Sequence, residues 1–62
     1  MMKVNNVPAW AWSKYYMVIR YCDGAWWFYD AWTADRGEDA MTQAQEIDGE
    51  LRRVSSCEAG AF

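Results

Sequence analysis

The chain has no histidine, one proline, two cysteines and four glycines among its 62 residues. Each scarcity removes a class of function. Without histidine there is no Ser-His-Asp or Cys-His nucleophile system, and no imidazole to bind a metal. Two cysteines cannot supply a four-thiolate zinc site. Cys22 and Cys57 stand far apart and form no C-x-x-C motif, so they read as two reduced, partly buried thiols. A disulfide between them would require an oxidising compartment that no leader segment supports. Long apolar runs are also missing. Residues 15–19 and 25–29 fall far short of the roughly 20 residues that cross a bilayer. The opening Met1-Met2-Lys3-Val4-Asn5-Asn6 is too short and polar for a signal-peptide core. The expectation is a soluble, cytoplasmic single domain spanning residues 1–62, with no cofactor and no metal.

What is present is unevenly placed. The net charge of -3 conceals strong segregation. Residues 1–22 carry Lys3, Lys14 and Arg20 and no acid, whereas residues 23–50 carry eight acids against Arg36 alone. Aromatic residues are segregated as well: ten of the eleven lie between Trp10 and Trp32, and only Phe62 lies outside. An aromatic first half therefore precedes an acidic middle.

The local patterns predict an α+β fold with ββαβ order, an antiparallel hairpin plus a third strand with one helix packed on one sheet face. Residues 1–13, containing Asn5-Asn6 and Pro8, read as an irregular lead-in. Residues 14–32 read as the hairpin: two runs rich in β-branched and aromatic side chains flank Asp23-Gly24, which supplies the positive φ angles of a two-residue type I′ turn. That turn sets Ile19 opposite Phe28, Val18 opposite Tyr29 and Met17 opposite Asp30. One face then holds Tyr15, Met17, Ile19, Tyr21, Trp26, Phe28, Asp30 and Trp32, the better core candidate. The other holds Tyr16, Val18, Arg20, Trp27, Tyr29 and Ala31. The helix is expected over residues 35–48. Asp35 is its N-cap, Glu38 the capping-box partner, Ala40, Ala44, Ile47 and Leu51 its inward stripe, and Gly49 its stop. Asp39, Thr42, Gln43, Gln45 and Glu46 are assigned to its outward face. Residues 51–57 read as a third hairpin-side strand, Glu58-Ala59-Gly60 as a turn, and Phe62 as a ring tucked onto the core.

Two surfaces emerge as candidates. Asp35, Glu38, Asp39, Glu46, Asp48 and Glu50 lie on or beside the helix. They form either a solvated face that keeps an apolar small protein in solution or a negative surface that docks on a basic partner. Tyr16, Trp27 and Tyr29 form an aromatic platform on the second sheet face. Three explanations compete for it: cover by the Trp10–Trp12 segment, a partner or self-association interface, or stacking of single-stranded bases. The negative charge and the absence of a basic stripe oppose the last. Catalysis has no candidate beyond Asp30, whose carboxyl on an aromatic face is weighed against a wet sheet end.

The hairpin with Asp23-Gly24 and Trp26, the helix entered through Asp35-Arg36-Gly37-Glu38-Asp39-Ala40 and running past Ala44 to Ile47, and the later Arg53-Val54 and Gly60 resemble two groups of small proteins. One is the set of short ββα-type domains and HicB-type antitoxins; the other is the small acidic anti-CRISPR proteins of phages and mobile elements. The resemblance covers residues 14–60 in element order, size and charge. The anti-CRISPR resemblance implies a non-enzymatic, stoichiometric inhibitor that binds a CRISPR effector subunit in the bacterial cytoplasm and blocks its engagement of target DNA. The antitoxin resemblance implies a homodimeric interaction module. HicB-type proteins also carry a DNA-binding element, which has no counterpart here.

Overall fold

Two residues with positive φ, Asp23 at 51° and Gly24 at 79°, turn the chain between β2 (Tyr16–Cys22) and β3 (Ala25–Trp32). This computed structural model describes residues 1–61, so the expected docking of Phe62 lies outside the described residues. From the turn, the strands pair as the hairpin pattern predicts, from Cys22–Ala25 through Ile19–Phe28. The register then slips by one: Val18 meets Asp30, Met17 meets Ala31 and Tyr16 meets Trp32. Tyr29 is the extra residue of a β-bulge. A slip of one residue reverses the facing of everything beyond it. Without it the Asp30 carboxylate would sit beside Met17, which is fully buried; with it, the small, buried Ala31 takes that place. The expected faces are corrected accordingly. Asp30 and Trp32 join the side of Tyr16 and Val18, and Ala31 joins that of Met17 and Ile19.

The remaining elements build an α+β fold around this hairpin. β1 (Met2–Val4) precedes it, and α1 (Gly37–Glu46), β4 (Glu50–Arg53) and β5 (Cys57–Ala59) follow. Short 3-10 turns occupy Ala9–Ser13, Ala34–Arg36 and Val54–Ser56. One sheet runs β3-β2-β4, antiparallel throughout; β1 and β5 form a separate parallel pair. Two boundary expectations are thus corrected. The lead-in contains a strand and a 3-10 turn, because Met2–Val4 finds partners only in a strand more than fifty residues away. The strand expected over 51–57 is two strands, broken where Val54 turns inward to become buried.

Both faces of the three-stranded sheet are covered. Over the Val18 face lies α1, which presents Ala40 and Ala44, with Tyr16, Trp32, Ile47 and Leu51 packed around them. Over the Met17 and Ile19 face lie Val4, Val54 and Cys57, joined by Met2, Val7, Trp12, Trp26 and Phe28. Of the three explanations weighed for the second face, cover by the Trp10–Trp12 segment is thus excluded: Trp12 packs on the opposite face. Asn5 locks this layer in place: its N–H donates to the Trp26 carbonyl at 2.9 Å and its carbonyl accepts from the Phe28 N–H at 3.0 Å.

The helix boundaries follow from their hydrogen bonds. Asp35 does not cap α1; it sits within the 3-10 turn, its carboxylate accepting from the Thr33 hydroxyl at 2.6 Å. The helix starts two residues later, at Gly37, which packs against the Tyr16 ring with no room for a Cβ at ordinary contact distance. At the other end, Asp48 takes the left-handed conformation, φ 56°, expected of a glycine. The Asp48 N–H bonds to the Gln45 carbonyl and the Gly49 N–H to the Ala44 carbonyl at 2.8 Å, the paired bonds of a Schellman cap. Gly49 is needed for a different reason: a Cβ there would strike the Ile19 carbonyl oxygen.

Candidate protein-binding surface

The six acids singled out from the sequence are all exposed. Helical spacing at 100° per residue puts Glu38, Thr42, Gln45, Asp39 and Glu46 on the side of α1 opposite Ala40 and Ala44. Asp48 follows at the cap and Glu50 opens β4, so acids continue past the helix end onto the sheet. No lysine or arginine occurs within Gly37–Glu46. Positive partners reach the acids only from the flanks. Arg36 Nε donates to Asp39 Oδ2 at 2.6 Å, and Arg52 Nη2 lies 2.8 Å from Glu50 Oε1. Among the described residues, Glu38, Glu46 and Asp48 have no ion-pair partner. The Asp35 carboxyl is held below its ordinary value, first by the Thr33 hydroxyl and next by its own backbone N–H. Among the described residues, no group of three or more acids or thiols is placed to hold a metal ion.

Gln43, assigned to the outward face by its spacing, points inward instead. Its amide accepts from Trp32 Nε1 at 2.9 Å and donates to Asp30 Oδ2 at 3.0 Å, while Asp30 Oδ1 accepts the Ala31 N–H at 2.8 Å. This chain ties the helix to β3. It also engages both Asp30 oxygens, so the one carboxylate weighed for catalysis serves as a structural acceptor. The bulge creates this arrangement by turning Asp30 and Trp32 toward the helix, which no periodic pattern could announce.

The aromatic platform is not assembled as expected. Tyr16 is half-buried beneath the start of α1, and its ring meets Tyr15 edge-on at 4.8 Å. Trp27 is half-buried, with Nε1 donating to the Cys22 carbonyl at 3.0 Å. Only Tyr29, on the bulge, is exposed, at 47%. The most exposed rings are Tyr21 at 61%, placed by the sequence reading on the core face and set edge-on to Trp26, and Trp10 at 52%, from the lead-in, set edge-on to Phe28. Both lie toward the Met17 and Ile19 face, Tyr21 near the hairpin tip and Trp10 against Phe28. Beside the acids the exposed apolar group is Met41, three residues from Glu38 and four from Gln45.

Shallow clefts adjoin β1. One of about 520 Å³ is lined by Val4, Asn6, Val7, Pro8, Phe28, Ala59 and Gly60, with no ionisable side chain. Both cysteines are free thiols, Cys22 exposed beside the hairpin turn and Cys57 buried. Burial raises the Cys57 thiol above its ordinary value. No helix among the described residues is long and apolar enough to cross a membrane. No known protein family, curated protein or solved structure matches the chain.

Proposed function

We propose that this protein acts by contact alone, as a non-enzymatic inhibitor that lays its acidic helix face on a basic protein surface. The observation that carries the reading is that exposed Glu38 and Glu46, on the outward side of α1, have no ion-pair partner among the described residues. Glu38 and Glu46 lie about 12 Å apart at 1.5 Å per residue, further than the ~8 Å Debye length at physiological salt, so each attracts its own cation. Exposed Met41 adds an apolar contact in the same patch. Lysines and arginines that track nucleic-acid phosphates are the natural complement to such a surface. Together with the anti-CRISPR resemblance, this points to a cytoplasmic partner that handles DNA, a CRISPR effector subunit in the specific form of the proposal. The second reading, a homodimeric antitoxin-like or structural module of ββα type, draws support from exposed Tyr21 and Trp10, since such rings are common interface anchors.

The test is a gel-shift assay of target-DNA binding by purified RNA-guided effector complexes, with and without the protein. Inhibition by the wild type, and its loss in the triple variant Glu38→Lys, Asp39→Lys, Glu46→Lys with an unchanged circular dichroism spectrum, is the expected result. Full inhibition by the triple variant rejects the acidic face as the contact. Undisturbed DNA binding across all effectors tested rejects the anti-CRISPR reading.

A further inference from the structure

The two edges of the three-stranded sheet are finished differently. Along β3, outward-facing groups of both kinds are engaged: Asn5 takes the Trp26 carbonyl and the Phe28 N–H, and the Asp30 side chain takes the Ala31 N–H. Along β4 only the acceptors are. The Val54 N–H donates across to the Tyr15 carbonyl at 2.8 Å. Backbone alternation then aims the polar groups of Glu50 and Arg52 at β2, and those of Leu51 and Arg53 away from it. The outward carbonyls are capped by side chains: Arg52 Nη1 donates to the Leu51 carbonyl at 2.9 Å and Ser56 Oγ to the Arg53 carbonyl at 2.7 Å. The N–H groups of Leu51 and Arg53 meet no acceptor among the described residues.

We propose that this edge pairs with the same edge of a second copy of the chain, antiparallel about a twofold axis midway between the two Leu51 residues. Such an axis stands perpendicular to the sheet, so only residues on the same face can be opposed. Two registers keep the Leu51 and Arg53 donors in use. Centring on Arg52 sets two guanidinium groups against each other. Centring on Leu51 sets Glu50 against Arg52 of the second copy, and Arg52 against Glu50 of the second copy. These are non-hydrogen-bonded pairs, where facing side chains come closest and opposite charges stabilise. In that register Leu51 exchanges two backbone hydrogen bonds with its counterpart. Its half-buried side chain meets the other Leu51 at the edge of the helix-side core. Arg52 is the latch. In the single chain it holds both the Leu51 carbonyl and Glu50. In the pair it releases the carbonyl to the incoming N–H and shares Glu50 of the second copy.

The contact involves four residues a side and trades one ion pair for another. It falls well below the ~1,200 Å² of stable complexes, so association is weak and concentration-dependent. Because the axis is perpendicular to the sheet, both α1 helices end on the same side, and their acidic faces form one broader surface. The inference stands on the strand edge and does not depend on what the acidic face binds.

The experiment is sedimentation equilibrium from about 10 μM to about 1 mM, the range of weak association, with amide NMR spectra over the same series. The mean mass is expected to rise from 7.2 kDa toward twice that value, with concentration-dependent shifts at the Leu51 and Arg53 amides. Glu50→Arg alone and Arg52→Glu alone should abolish the rise; the double exchange E50R/R52E should restore it. A mass that stays at 7.2 kDa throughout, an undiminished rise in E50R, or shifts confined to Tyr21 and Trp26 would each overturn the proposal.

Discussion

The two faces of the central sheet are closed by opposite means. One is covered by a regular helix that contributes small side chains, Ala40 and Ala44, and a polar tie through Gln43. The other is covered by pieces from both chain ends, and its fully buried side chains are large: Val4, Met17 and Ile19. The helix side obtains order from local hydrogen bonds and needs little volume. The chain-end side has only three-residue strands and depends on apolar burial across the full length of the chain. Stability should therefore be concentrated on the chain-end side, and the helix side left free to present charge.

Met17→Ala tests that contrast most severely. Removing a fully buried methionine side chain costs about 2–5 kcal/mol, whereas Ala44→Gly on the helix side costs about 1 kcal/mol. At ~0.05–0.15 kcal/mol per residue a domain of this length holds only a few kcal/mol. Met17→Ala should therefore lose about half or more of the domain's stability and Ala44→Gly only a small share. Urea titration followed by tryptophan fluorescence separates them, and equal midpoints would show that the two faces share the load. Next in size is Gly49→Ala. Its Cβ meets the Ile19 carbonyl, a backbone atom of the central strand that cannot rotate away. A loss of about 3 kcal/mol is expected, the upper end for overpacking, while a midpoint shift below one-third of that would mean the helix-to-β4 link bends freely.

The same contrast explains what could be read before the structure. The hairpin turn was legible because Asp-Gly imposes its own dihedral angles, and the helix because Ala40, Ala44 and Ile47 repeat at 3.6-residue spacing. The bulge at Tyr29 was not. It answers a tertiary problem, keeping Asp30 away from Met17, and leaves no local mark. Its consequence for the candidate surface was large, since it moved Asp30 and Trp32 to the helix-covered side of Tyr16 and Val18. β1 and β5 were missed because three residues are too few to show a period. The acids were placed correctly as exposed, since charge on a helix face needs no partner to be legible. Their supposed aromatic companions were not, since each ring's exposure depends on which segment crosses it.

Gln43→Leu probes the polar half of the helix-side contact. It leaves Trp32 Nε1 and Asp30 Oδ2 without their partner in a half-buried site, at a cost of about 1–2 kcal/mol. Gln45, exposed two residues further on and on the opposite side of α1, serves as the control: Gln45→Leu should leave the urea midpoint nearly unchanged.

Each side also carries a titrating group displaced for its own reason, which gives the smallest effects and a final check. On the chain-end side, burial raises the Cys57 thiol, with the Ser56 hydrogen bond and the Arg52 charge opposing. A raised folded value means a contribution fully present below the unfolded thiol pKa and lost as pH climbs through the folded one. Native protein should accordingly react with a thiol reagent at Cys22 and spare Cys57 up to mildly alkaline pH; equal labelling would show that the chain-end layer opens readily. On the helix side, the Thr33 hydroxyl bond is the largest cause lowering the Asp35 carboxyl, and the Arg36 charge the smallest. The sign is reversed here: the contribution is present above the unfolded carboxyl pKa and disappears as pH falls through the folded value. Asp35 is fully open to solvent, so its effect on stability is slight and is best read at the group itself, by carboxyl NMR titration. Thr33→Val should return Asp35 toward its ordinary value, and Arg36→Ala should move it less. If Arg36→Ala moved it more, the acidic surface would be organised by its flanking cation, and charge reversal at Arg36 would then be the sharper way to change what the helix face attracts.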